Sequence, residues 1–140
     1  MHPSAGAIHP VHVLLQRAHD LHWERYDANA HCLTEIPGSA ELAQAVRRDA
    51  EVIVSGVDAC LIALVAEPQK THAKYDNANS LVMRDAGVVL GYLSIVSELI
   101  GASYCPLGST GHERLKTLLP KETLWGLGLA WFGSRADKPY

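Results

Sequence analysis

The chain has 140 residues, 48% of them hydrophobic and 19% charged, with a formal net charge of −3. That composition is globular rather than disordered, and its acidic balance excludes nucleic acid as the main partner, since phosphate binding wants a basic face. Residues 1–140 are expected to form a single domain with a real core. The longest uncharged apolar stretch, 86–97, is shorter than the roughly 20 residues a membrane span needs, so no membrane partner is expected. Cys32, Cys60 and Cys105 are widely spaced, form no CxxC and follow no signal-peptide pattern, which points to a reducing cytoplasm.

In chain order, the segment 3–10 is a loop. Pro3 and Pro10 fix φ and remove two backbone donors, and Gly6 can take a positive φ. Residues 11–16 are apolar and β-prone, a strand. Residues 22–26 and 32–36 form a hairpin around the turn Asp27-Ala28-Asn29-Ala30. Ser39 is placed to cap a helix running to about residue 52. The continuous apolar run 59–65 is a buried strand. Residues 80–100, with Val88, Val89, Leu90, Leu93, Val96 and Ile100, are apolar on nearly every side and predict a buried central helix that Gly101 ends. Residues 102–107 are a short strand, 110–119 a helix with Lys116 in its last turn, and 124–132 a final strand. Without strict βαβ alternation, the expected class is α+β, a sheet packed by helices.

Four short segments carry candidate chemistry. The opening Pro3-Ser4-Ala5-Gly6-Ala7-Ile8-His9-Pro10 can bring its amides and the Ser4 hydroxyl against a flat polar ligand. Lys74-Tyr75 lies between the buried strand and the long helix; out of context it is a surface lysine beside a packed tyrosine. Arg84-Asp85-Ala86-Gly87 opens the long helix, where Gly87 permits close helix packing or is simply a tolerated small residue. Gly101-Ala102-Ser103-Tyr104-Cys105-Pro106-Leu107-Gly108 follows that helix. His9 and His12, like His19 and His22, are three apart but lie in loops or strands, where that spacing separates their side chains, and no carboxylate or cysteine cluster completes a metal site. Ser4 lacks the G-x-S-x-G elbow of a serine hydrolase.

Taken together and in this order, these segments resemble SagB-type oxidoreductases, the azoline-dehydrogenase-like branch of the FMN-dependent nitroreductase superfamily. The resemblance runs from Pro3 to Gly133. Trp23-Glu24-Arg25-Tyr26-Asp27 with His31 and Leu33 matches its structural hairpin, and Trp131-Phe132-Gly133-Ser134-Arg135 its last strand. It implies a nitroreductase-like central mixed sheet, and FMN held by Pro3, Ser4, Gly6, His9, Cys105, Pro106, Leu107 and Gly108. Arg135 or Lys138 would reach the phosphate. Main chain at residues 105–108 would supply an amide to the N5 edge of the flavin, with Cys105 as a packing residue. Lys74 and Tyr75 would be catalytic, removing a carbon-bound proton while hydride leaves to the flavin. A lysine can do this if burial or a neighbouring cation brings its pKa from about 10.4 towards neutral.

The resemblance further implies dehydrogenation of thiazoline or oxazoline rings in a peptide, a homodimer with flavin at the interface, and a cyclodehydratase-type partner. An NAD(P)H-dependent nitro or quinone reductase is the alternative within the class. Where relatives carry basic and aromatic residues after the Lys-Tyr pair, Asp76-Asn77-Ala78-Asn79-Ser80 stands here. Relatives also begin upstream, with helices and an Arg-rich segment for the phosphate. The expectation is therefore a member truncated at its N-terminus, whose missing contacts come from a partner subunit. A degenerate flavin fold kept as a scaffold and a fragmentary chain are the other two possibilities.

Overall fold

A computed structural model describes residues 2–55, 58–119 and 123–134. The chain order is β1 (Val11–Gln16), β2 (Glu24–Asp27), β3 (Cys32–Glu35), α1 (Ala40–Ile53), β4 (Cys60–Ala66), α2 (Pro68–His72), α3 (Ala78–Leu99), β5 (Ala102–Pro106), α4 (His112–Leu115) and β6 (Trp125–Ser134). The strands lie side by side as β3-β2-β1-β4-β6-β5. The apolar β4 is central, pairing antiparallel with β1 on one side and β6 on the other. Both its faces are covered, which is why its sequence shows no polar alternation.

The expected α+β sheet packed by helices is present, but it is not mixed: every pairing among the described strands is antiparallel. β4 and β5 do run parallel to each other, as a connection through a long helix allows. The last strand, β6, is inserted between them and turns both pairings antiparallel. One face of the sheet packs Leu14, Leu61, Ala63, Leu129 and Trp131 against Ala43, Val46 and Ala50 of α1 and Leu115 of α4. The other packs Val11, Ile62, Leu64, Leu127 and Ala130 against Val82, Ala86 and Val89 of α3. Each fully buried Leu or Val contributes about 1.5–3 kcal/mol of transfer free energy.

Local chemistry sets the boundaries. Asp27 Oδ1 accepts the Asn29 and Ala30 N–H groups at 2.8 and 3.1 Å, closing the predicted hairpin turn. Ser39 stands at the start of α1, but its hydroxyl accepts the Trp23 N–H at 2.9 Å instead of capping the helix. Gly101, at φ 72°, ends α3 as expected. The helix predicted over 110–119 is reduced to the single turn of α4. Gly111 enters it at φ 64°, and beyond it Thr117 and Leu118 donate to carbonyls three residues back.

The long helix departs most from expectation. Only one face of α3 is buried, because the sheet covers one side and no described element covers the other. Met83, Tyr92, Ile95, Leu99 and Ile100 are 55%, 49%, 62%, 79% and 64% exposed. A Cβ added at Gly87 would meet nothing within 4 Å, so close packing at this glycine is not used within the chain. By length and composition α3 would reach across a bilayer. It is interrupted by Arg84, Asp85 and Glu98, and its Val82–Ala86–Val89 stripe is occupied by the sheet.

A tight spot elsewhere gives a first test. A Cβ at Gly126 would stand 2.7–2.8 Å from the backbone of His112 and Thr110. Backbone cannot step aside as a side-chain tip can. Gly126→Ala should therefore cost about 1–3 kcal/mol, an overpacking penalty read as a lower midpoint in denaturant at unchanged slope.

Candidate functional site

Three of the four sequence segments meet at one place. The opening loop leaves Ser4 extended, makes a single 3-10 turn at Ala5–Ala7 and enters β1 through Pro10. Gly6 has φ 62°, and Ala7 and His9 also take positive φ, at 55° and 50°. For an L-residue this region costs roughly 1–2 kcal/mol, so the surroundings must hold the loop in place.

Asp85 is one of those surroundings. It is 4% exposed, on the buried stripe of α3. Its Oδ2 accepts the Ser4 hydroxyl at 2.6 Å, and the Ala5 N–H reaches Oδ1 and Oδ2 at 3.1 and 3.2 Å. Ser4 Oγ in turn accepts the His9 N–H at 3.0 Å. Ala7 N–H and Ile8 N–H donate to the Ser4 and Ala5 carbonyls. The loop donors that were expected to face a ligand, the Ser4 hydroxyl among them, are thus engaged inside the protein.

Lys74 and Tyr75 follow α2, where both backbone N–H groups donate to the Thr71 carbonyl at 3.0 Å. A Cβ at Gly6 would run into Tyr75 Oη and lie 3.0 Å from Lys74 Nζ. Loop and Lys-Tyr pair are therefore in direct apposition, which their separation in sequence does not reveal. Lys74 is exposed, sits 5.6 Å from the Tyr75 ring and makes no ion pair among the described residues. The burial a base role calls for has to come from whatever covers it.

The His2 and His9 rings meet edge to face at 5.1 Å. Burial lowers the His2 pKa, His9 lowers it further and Asp85 opposes both. His2 Nε2, His9 Nδ1 and Thr71 Oγ1 are buried without a hydrogen-bond partner.

Gly6→Ala should lower the melting temperature more than Gly101→Ala does. Both positions have positive φ, but a Cβ at Gly101 meets nothing within 4 Å. The difference between the two variants isolates the contact with Tyr75, and equal losses would show that this contact is absent.

The fourth segment lies apart. Cys105 and Pro106 belong to β5, opposite Trp131 and Ala130, and the Leu107 N–H donates to the Leu129 carbonyl at 2.8 Å. β4 and β6 stand between β5 and the strand that the opening loop enters. Cys105 is exposed rather than packed; it lines a cleft of about 180 Å³ beside Trp131. Gly108 is exposed in the turn that follows. A larger cleft, about 570 Å³, lies between the last turns of α3 and β5. Its lining includes Tyr104, whose phenol is pushed up to about 12 by burial. Arg135 and Lys138, assigned to the phosphate, fall outside the described residues. His12 does not join His9; it bonds Glu67 at 2.6 Å. No group of three metal-ligating side chains occurs among the described residues.

Arg84-Asp85-Ala86-Gly87 stands out in the sequence for its Gly87, with no role assigned to Asp85. Val82, Asp85, Ala86 and Val89 follow the i, i+3, i+4, i+7 spacing of one helix face, so a carboxylate was visible on an apolar stripe.

No family model matches the chain, and no curated protein matches it by sequence. Solved structures do. The Escherichia coli microcin synthetase McbBCD complex with truncated pro-MccB17 bound contains a chain similar over 97% of this one, at TM-score 0.78 and 16% identity. A structure from Anabaena variabilis described as a nitroreductase is similar over 94%, at TM-score 0.75 and 17% identity. Another so described, from Desulfovibrio desulfuricans and in complex with FMN, is similar over 98%, at TM-score 0.58 and 19% identity. The chain spans 56%, 28% and 72% of their respective lengths. These likenesses establish the fold: α+β and nitroreductase-like.

Proposed function

We propose that this chain is the core of an FMN-dependent oxidoreductase that dehydrogenates thiazoline or oxazoline rings in a peptide. One observation carries the proposal: Gly6 of the opening loop lies against Lys74 Nζ and Tyr75 Oη, with the loop bound to Asp85. The residues fit a planar polar group in one respect. Beside the loop, His9 Nδ1 and His2 Nε2 are buried polar atoms with no partner, as the hydrogen-bonding edge of such a ring would require. Pro3, Ser4, Gly6 and His9 would shape this side of the site. Main chain from Cys105 to Gly108, which lies apart from the loop, would serve the ring edge that the SagB-type resemblance implies only from the second subunit of the proposed homodimer. FMN, when bound, supplies the hydride acceptor. Lys74 takes the proton that leaves the ring carbon, and Tyr75 holds the substrate or relays that proton.

The similar chain within a peptide-bound synthetase complex supports a peptide substrate and a cyclodehydratase-type partner. The exposed face of α3 supports a homodimer. Three free cysteines support a reducing cytoplasm. NAD(P)H-dependent reduction of a nitro or quinone compound is favoured by a different observation, the exposure of Lys74, since hydride relay needs no protein base there.

The test is addition of FMN to purified protein, followed by an azoline-containing peptide. The expected results are the two absorption bands of bound oxidised flavin and loss of H2 from the peptide by mass. A protein that stays colourless in excess FMN would be a non-catalytic scaffold instead.

A further inference from the structure

We infer that Asp85 is the positioning residue of the proposed flavin site, and that Ser4 acts on Asp85 rather than on the ligand. The inference rests on the flavin reading above. A carboxylate on the buried stripe of an apolar helix is costly unless hydrogen bonds satisfy it. Here Ser4 Oγ–H and Ala5 N–H do so, and both come from a loop 80 residues away in sequence. Every further bond within that loop starts from the same two residues. Ala7 N–H goes to the Ser4 carbonyl, Ile8 N–H to the Ala5 carbonyl and His9 N–H to Ser4 Oγ. The positive φ values of Ala7 and His9 are held by this set of bonds, whose root is Asp85. Gly6 lies inside the set, where an added Cβ would run into Tyr75 Oη and stand 3.0 Å from Lys74 Nζ. Asp85 therefore sets where the loop stands relative to the proposed base, without touching substrate or flavin itself. The Ser4 hydroxyl has a single proton, and Asp85 holds it.

A double-mutant cycle with Ser4→Ala, Asp85→Asn and the double variant tests this. FMN affinity is read by fluorescence quenching, and turnover of an azoline peptide at saturating FMN is split into kcat and KM. Asp85→Asn should weaken FMN binding and lower kcat by about 10–100-fold, the range for a hydrogen bond to a charged group. Ser4→Ala should lose part of that, and the double variant should be no worse than Asp85→Asn alone. Asp85→Glu should recover part of the binding. Ser4→Ala removes only a hydroxyl and leaves the Ala5 bonds, so it reports even if Asp85→Asn does not fold. Additive losses would overturn the inference, because Ser4 would then be acting on the ligand directly. So would lower melting temperatures with FMN affinity and kcat unchanged, the mark of a merely structural bond. A wild-type chain that takes up no FMN overturns the flavin reading and this inference with it. FMN uptake indifferent to Asp85→Asn overturns this inference alone.

Discussion

Lys74→Ala should reduce azoline dehydrogenation by about 10²–10⁴-fold, the contribution of a positioned general base, while FMN remains bound. Lys74→Arg should fare little better, because a guanidinium stays protonated and cannot accept a proton. Tyr75→Phe keeps the ring and loses the hydroxyl that lies at Gly6, so a partial loss is expected. The same variants separate the two activities. A reductase that passes hydride from NAD(P)H through the flavin to a nitro or quinone acceptor should survive Lys74→Ala within a few-fold. Since Lys74 is exposed in this chain, the effect should appear only when peptide or a second subunit covers the lysine. Saturating peptide is therefore the condition to use. A neutral Lys74→Ala under that condition ends the dehydrogenase proposal.

Much of the frame was legible because local signals and the sheet agree. β1 runs from Val11 to Gln16, as its β-prone apolar run predicts. β4 reads as buried because both its faces are covered, and Gly101 stops α3 where its positive φ is needed. The signal failed where a neighbour decides the outcome. Residues 110–119 carry helix-forming composition, but Gly111 and the close approach of Gly126 to His112 leave room for one turn. Ser39 has a cap's identity, yet Trp23 uses its hydroxyl. At the site, the motif order pointed to the loop and to Lys74-Tyr75. The loop is bonded to Asp85, which stood within the third motif with no role assigned to it. Residues 105–108 match their motif well, while the sheet order that puts two strands between β5 and β1 depends on where the final strand inserts.

The same helix yields the second large effect. α3 has no described element against its outer face, where Met83, Tyr92, Ile95, Val96, Leu99 and Ile100 are all exposed. Gly87 and Gly91 keep part of that face flat, with nothing within 4 Å of an added Cβ. Ile95 and Leu99 are four residues apart and lie on one side of the helix. A twofold partner would bury these apolar groups in a self-complementary contact and lay two α3 helices together. Leu99→Asp should then raise the dimer dissociation constant by about a hundredfold or more, since a buried unpaired charge costs about 3–5 kcal/mol. Twofold symmetry applies the charge twice. Met83→Asp, nearer Asp85 on the other end of the helix, should have a smaller effect if the contact centres on Ile95. Sedimentation at low micromolar concentration reads both. A well-folded wild-type monomer at that concentration would refute the shared interface and leave the exposed face of α3 to a different partner.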